Sequence, residues 1–327
     1  MATARRMAGQ QPDSATLVGW AKLDNAERER VQNGAPLYNA MCGGTETWQD
    51  RIAMRNFHKF PILCDLDGVI WLAHQGIAGS TEAVERFRQA GHRVLFVTNN
   101  SWLTQEEQVA ALADVGISAA GDIVTSAMAG ASLVQAGQRV LVCGGPGIEQ
   151  ELQSVGADIV RYADCLASEN DEILHGIDIV MVGFHRWFDY EVMRRASLAI
   201  SRGALLIGTN DDATYPTPSG PIPGGGSILA AIATASGVQP MIAGKPHQAM
   251  ADVVTHLLGS VDQSAIMVGD RPSTDGQFAH TLGCRFALVR SGVTLASMSP
   301  ATDSEFFAGA TLDFDVADLS AVADEVL

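Results

Sequence analysis

From Phe60 onward the chain alternates between short apolar runs of strand length and segments of helical period. Such alternation builds parallel sheets with crossover helices, because parallel neighbours cannot be joined by a tight turn. The runs Pro61–Cys64, Arg93–Thr98, Val140–Cys143, Ile177–Val182, Ala204–Ile207, Ala265–Val268 and Arg285–Val289 read as buried strands. Thr104-Gln-Glu-Glu107 has the pattern of a capping box, in which a hydroxyl and a carboxylate satisfy the free amides of a helix start. The densest punctuation is the Pro/Gly-rich stretch from Tyr215 to Gly226, which reads as a hinge. Residues 138–210 carry strand and helix runs of their own. The predicted architecture is therefore α/β: a doubly wound, Rossmann-like parallel-sheet core at 58–137 and 211–327, interrupted by a smaller α/β cap domain at 138–210. Residues 1–57 lack the alternation and hold seven Lys/Arg against six Asp/Glu. They read as a poorly structured extension, or as sequence ahead of a true first residue at Met54.

A length of 327 residues with 47% apolar content supplies material for such a two-part molecule. The formal charge of −16 argues against a partner held through a phosphate backbone or an anionic membrane surface. Aromatic residues are 6% of the chain and interleave with no basic stripe, which removes single-stranded nucleic acid as well. No apolar run approaches the roughly 18 residues of a membrane span. Five cysteines, an odd number with no Cys-x-x-Cys pair, fit a reducing, cytoplasmic setting.

Acidic residues stand where strands end. Asp65-Leu-Asp67-Gly68 closes the first run, and ligands of open α/β sheets gather beyond the carboxyl ends of strands. Alternate residues of an extended segment point to one side, so Asp65 and Asp67 can share a pocket. Their mutual repulsion calls for a cation or a shared proton. Val97-Thr98-Asn99-Asn100-Ser101 places a hydroxyl and amides after the second run, Gly244-Lys245-Pro246 brings an isolated cation, and Gly269-Asp270-Arg271 through Asp275 sets two further acids at a strand end. Alone, each has a plain structural reading as turn, cap or surface residue. In this order they are what phosphoryl transfer needs: a nucleophile, an oxygen-rich cation site and donors for phosphoryl oxygens.

The set resembles the four motifs of the haloacid dehalogenase superfamily. Asp65-Leu-Asp-Gly-Val-Ile-Trp71, Val97-Thr-Asn-Asn-Ser101, Gly244-Lys-Pro246 and Gly269-Asp-Arg-x-x-x-Asp275 are similar to its subclass IIA, which includes 4-nitrophenylphosphatases, glycerol phosphate phosphatases and pyridoxal phosphate phosphatases. That branch inserts its cap between the second and third motifs, and the 147 positions from Thr98 to Lys245 leave room for one. The resemblance implies a Mg²⁺-dependent phosphatase of a small phosphorylated metabolite, working through an aspartyl-phosphate. Asp65 would be the nucleophile and Asp67 the general acid and base. Thr98, Asn99 and Lys245 would bind phosphate, and Asp65, the main-chain carbonyl of Asp67 and Asp270 would hold the metal. Asp275 would orient this shell or bind the metal through water, and the cap would choose the substrate and could pair two copies into a homodimer.

Thr214 and Tyr215, near the predicted return to the core, are the specificity candidates. His185, Arg186, Trp187 and Tyr190 could touch substrate or simply pack. The Gly-rich stretch after Val142 fails both the dinucleotide and the P-loop patterns. A phosphosugar mutase, a non-enzymatic phospho-receiver and a binding protein on the same fold remain open alternatives.

Overall fold

The computed structural model describes residues 59–72, 74–167, 171–215, 217, 220–294 and 297–327, so the expectations for residues 1–57 lie outside it. Its strands in chain order are β1 (Ile62–Cys64), β2 (Trp71–Leu72), β3 (Gln75–Gly76), β4 (Val94–Thr98), β5 (Ile123–Thr125), β6 (Arg139–Cys143), β7 (Asp158–Val160), β8 (Ile179–Val182), β9 (Leu205–Gly208), β10 (Thr214–Tyr215), β11 (Ile222–Pro223), β12 (Met241–Ile242), β13 (Ile266–Gly269), β14 (Arg285–Val289) and β15 (Phe314–Val316).

The first sheet has the order β15-β14-β13-β1-β4-β5 and every neighbouring pair is parallel. Residues alternate between its faces, and both faces are covered. Ile62, Cys64, Val94, Phe96, Ile266 and Val268 pack with residues of the helices Ser80–Gln89 and Leu319–Val326. Leu63, Leu95, Val97 and Met267 pack instead with the helices Gln248–Leu258 and Gln277–Leu282. Each such side chain taken fully out of water contributes about 1.5–3 kcal/mol, which is why parallel strands read as continuous apolar runs. This is the doubly wound arrangement expected from the alternation. Register then places the chemistry: Cys64 lies opposite Phe96 on one side and Val268 on the other. The residues that follow β1, β4 and β13 therefore emerge side by side at one edge.

The second sheet has the order β12-β9-β8-β6-β7, again all parallel. It does not end at residue 210. Met241 and Ile242 pair with Ile207 and Gly208. The helix Gly225–Ser236 buries Ile228, Leu229 and Ile232 in the cluster that holds Val180, Val182 and Leu206. The Pro/Gly-rich stretch contains a two-stranded hairpin, β10 against β11, rather than the way back to the first sheet. Punctuation marks where the chain turns. Which sheet the next helix joins is decided by where its apolar face is buried.

The helix Gln105–Asp114 carries the expected capping box: Glu107 N donates to Thr104 Oγ1 at 3.2 Å and Thr104 N to Glu107 Oε2 at 2.9 Å. Among the described residues Cys64, Cys143, Cys165 and Cys284 are free, and no helix is long and apolar enough to cross a membrane.

Candidate active site

Asp65 follows β1, Thr98 ends β4, Asp270 follows β13, and Lys245 comes three residues after β12. They converge. Lys245 Nζ donates to Asp65 Oδ1 at 2.7 Å and to Asp275 Oδ1 at 2.8 Å, and the lysine is 1% exposed. Carboxylate oxygens of Asp65, Asp270 and Asp275 lie within 4.8 Å of one another. One ammonium against three carboxylates leaves two negative charges uncompensated in a buried place. An all-oxygen donor set with that excess suits a hard divalent cation.

The titration behaviour reports the same crowding. Burial, with the charges of Asp275 and Asp270, raises Asp65 well above the carboxylate range, while Lys245 pulls it back. Burial and Asp275 push Asp270 up to about 7. Burial works against the charge on Lys245, yet Asp275 and Asp65 outweigh it and hold the ammonium above its ordinary range. The directions for Asp65 and Lys245 conflict across one contact. A 2.7 Å N–O distance is that of an ion pair, so the raised acid reflects burial and then surplus negative charge rather than a missing partner.

Local structure explains the seats. Gly68 takes φ +84°, and a Cβ there would overlap the Asp270 carboxylate, so only glycine lets the turn after Asp67 pass so close. Val293 N donates to Asp270 Oδ2 at 2.6 Å and Thr294 Oγ1 to the Asp270 main-chain carbonyl. Asp275 lies in the short π-type turn Pro272–Gly276 and accepts at Oδ2 from Arg271 N at 3.1 Å. It stands within the acid cluster itself.

The Asp67 carboxylate stands outside that cluster. Burial raises it, and Trp71 Nε1 donates to its Oδ1 at 3.2 Å. Thr98 is buried, and its hydroxyl accepts from Asn100 N at 3.1 Å. The Asn99 amide is fully engaged within the protein: Nδ2 donates to Asp212 Oδ2 at 2.8 Å and to the Lys245 carbonyl at 3.0 Å, and Oδ1 accepts from Lys245 N at 2.8 Å. A side chain so occupied braces the lysine and has no donor left for phosphate.

These residues open into a cavity of about 720 Å³. Asp65, Asp67, Thr98, Asn99, Lys245, Asp270 and Asp275 all line it. Trp102, Phe184, Arg186 and both specificity candidates, Thr214 and Tyr215, line it as well. The Phe184 ring lies 5.8 Å from that of Trp102 and 6.0 Å from that of Tyr215, and the Arg186 guanidinium sits 5.5 Å over Trp102. His185 also borders the cavity, whereas Trp187 and Tyr190 are 69% exposed and lie outside its lining. The sequence reading missed Asp212, Arg271, Trp102 and Phe184. Only Arg271 had a signal, its place inside the fourth motif.

Two family models match the chain: Haloacid dehalogenase-like hydrolase over residues 62–158 and HAD-hydrolase-like over residues 242–311. A D-glycerol 3-phosphate phosphatase of Mycobacterium tuberculosis is 35% identical over 72% of this chain and 64% of its own length. Human chronophin is 32% identical over 71% of this chain and 81% of its own. The solved glycerol phosphate phosphatase of M. tuberculosis in complex with magnesium superposes with a TM-score of 0.69 at 31% identity, covering 83% of this chain and 77% of that one. The spatial convergence of the four motifs and these similarities lead to one conclusion: the chain belongs to the haloacid dehalogenase-like hydrolase family, in its subclass IIA branch.

Proposed function

We propose that the protein is a Mg²⁺-dependent phosphomonoesterase for a small phosphorylated metabolite, acting through an aspartyl-phosphate on Asp65. The observation that carries this reading is the bridge from Lys245 Nζ to Asp65 at 2.7 Å and Asp275 at 2.8 Å, beside Asp270. Asp65, Asp270 and the Asp67 carbonyl would hold the metal, which supplies positive charge against which a carboxylate can approach a dianionic phosphate. Asp275 has one oxygen committed to Lys245 and would complete the shell from the other side.

An Asp65 oxygen attacks phosphorus, the phosphorus–oxygen bond to the leaving group breaks, and Asp67 gives that oxygen a proton. Asp67 then takes a proton from the water that attacks phosphorus and frees Asp65 and inorganic phosphate. Burial keeps Asp67 protonated to higher pH than an exposed carboxyl, which supports the acid role. Thr98 Oγ1 and Lys245 Nζ stabilise the transferring oxygens. Asn99 contributes by fixing Lys245, so any contact it makes with phosphate comes from its main chain.

The domain reading becomes a cap of about residues 138–242 closing over a core built from the rest of 58–327. Thr214 and Tyr215 are assigned to substrate choice. The D-glycerol 3-phosphate phosphatase relative supports a small phosphate ester. Leu205, Val238 and Met241 are exposed beside the edge strand β12, and we assign this face to pairing of two copies, which sedimentation would test. The decisive experiment for activity is release of phosphate from 4-nitrophenyl phosphate and glycerol 3-phosphate with and without Mg²⁺. Turnover in wild type and none in Asp65→Asn is the expected result. Retained turnover in the variant rejects the mechanism. A stable phospho-enzyme without turnover points to a receiver, and transfer to sugar to a mutase.

A further inference from the structure

Arg271 lies between Asp270 and the turn that carries Asp275, and its side chain lines the cavity at 24% exposure. A guanidinium has five N–H donors in a planar fork. Among the described residues its one acceptor is Asp212 Oδ1, 3.2 Å from Nη1. Asp212 itself is seated from the second-sheet side. Gly226 N donates to the Asp212 carbonyl at 2.9 Å, and a Cβ on Gly226 would overlap the main chain of Asp211 and Asp212. From that seat the carboxylate reaches across to the first sheet, where its other oxygen takes the Asn99 amide at 2.8 Å.

Charge balance at the acid cluster leaves work for this arginine. The Lys245 ammonium is already shared between Asp65 and Asp275. A divalent cation would cancel the two remaining negative charges, so an arriving phosphoryl dianion meets a site with no net positive charge to spare. Arg186, the other arginine that lines the cavity, stacks over Trp102. Arg271 is the cation beside Asp270 with donors left over, and its fork matches phosphoryl oxygens.

We propose that Arg271 binds the phosphoryl group and that Asp212 is a positioning residue with two duties: it aims Arg271, and through Asn99 it fixes the main chain at Lys245. This rests on the phosphatase reading but is tested by binding as well as turnover. Calorimetric titration of inorganic phosphate with Mg²⁺ present should give a Kd raised roughly 10- to 100-fold in Arg271→Met, the scale of a lost charge-assisted pair, and partly restored in Arg271→Lys. Asp212→Asn should weaken phosphate less and also lower kcat. The double variant Asp212→Asn, Arg271→Met should lose less phosphate affinity than the two single losses added together, because the aiming duty vanishes with Arg271 while the hold on Asn99 remains. An unchanged Kd in Arg271→Met overturns the assignment, and additive losses in the double variant overturn the role of Asp212. A raised KM for glycerol 3-phosphate with an unmoved phosphate Kd would place Arg271 on the leaving group and also overturn it. Should Arg271→Met fail to fold, Arg271→Gln gives the same comparison. Wild-type protein that binds phosphate through Arg271 yet hydrolyses no ester would leave this inference standing and sink the phosphatase reading alone.

Discussion

Lys245→Met removes the one ammonium that holds the acid cluster together while nearly conserving side-chain volume, so its effect isolates charge from packing. At 2.7 Å from Asp65 and 2.8 Å from Asp275, with an effective dielectric near 20, the gross attraction is about 6 kcal/mol per pair. Desolvation of a lysine that is 1% exposed cancels much of this. Removing one partner of a buried network leaves the others uncompensated, which costs about 3–5 kcal/mol. In the metal-free variant we therefore expect urea unfolding to show a loss of that order. A divalent cation then has more negative charge to neutralise, so Mg²⁺ should raise Tm further in the variant than in wild type. Catalysis should fall by roughly two to three orders of magnitude even with Mg²⁺ saturating, because in the proposed mechanism the ammonium also faces the charge on the transferring phosphoryl oxygens. Steady-state hydrolysis of 4-nitrophenyl phosphate, urea titration and a Mg²⁺ series of melting curves check the three parts. A variant with wild-type stability and an unchanged Mg²⁺ response would refute the picture of a lysine neutralising three crowded acids.

In a single turnover, Asp67→Asn should slow leaving-group release roughly 10²- to 10⁴-fold with glycerol 3-phosphate and much less with 4-nitrophenyl phosphate, whose leaving group departs without a proton, while the later hydrolysis of the aspartyl-phosphate slows alike for both. Equal slowing of release from the two esters would remove Asp67 from the acid role. Chelation with EDTA should abolish turnover and lower Tm, both restored by Mg²⁺; activity that persists in EDTA contradicts the metal requirement. Away from the site, Glu151 is 5% exposed, and burial, opposed by Gln105, raises it from 4.5 to about 7. Because the folded value is the higher one, the unfolded chain gives up this proton first, so the stability present below pH 4.5 is lost as pH rises through about 7. The shift corresponds to about 3 kcal/mol at most, and Glu151→Gln should recover about 1–3 kcal/mol at pH 8 and almost nothing at pH 4. Equal effects at both pH values would contradict it.

The part of the site that is legible in the sequence is the part built by strand ends. Asp65, Thr98 and Asp270 each sit at or just past the last residue of a buried parallel strand, and apolar runs announce those strands one by one. Parallel packing then forces their ends together without further information from the side chains. Lys245 comes with a strand of the second sheet, yet its ammonium is drawn in by two carboxylates, a pairing that charge type alone suggests. What the sequence hides depends on how the second sheet returns. The contact from Asp212 to Arg271 joins positions far apart in the chain, and no periodicity links them. It exists because the helix Gly225–Ser236 buries its apolar face with β8 and β9 and so carries the 209–212 segment against the 98–101 segment, where Thr209 Oγ1 meets Ser101 Oγ at 3.0 Å and Asn210 Nδ2 meets the Asn99 carbonyl at 2.8 Å. Asn99 marks the limit most sharply. Its position beside Thr98 suggests a phosphate ligand, but an amide satisfies its strongest available partners first. Here those are a carboxylate and the main chain of Lys245, neither of them near Asn99 in sequence. Spacing fixes where a polar side chain starts, and the competition among partners brought in by tertiary packing fixes what it does.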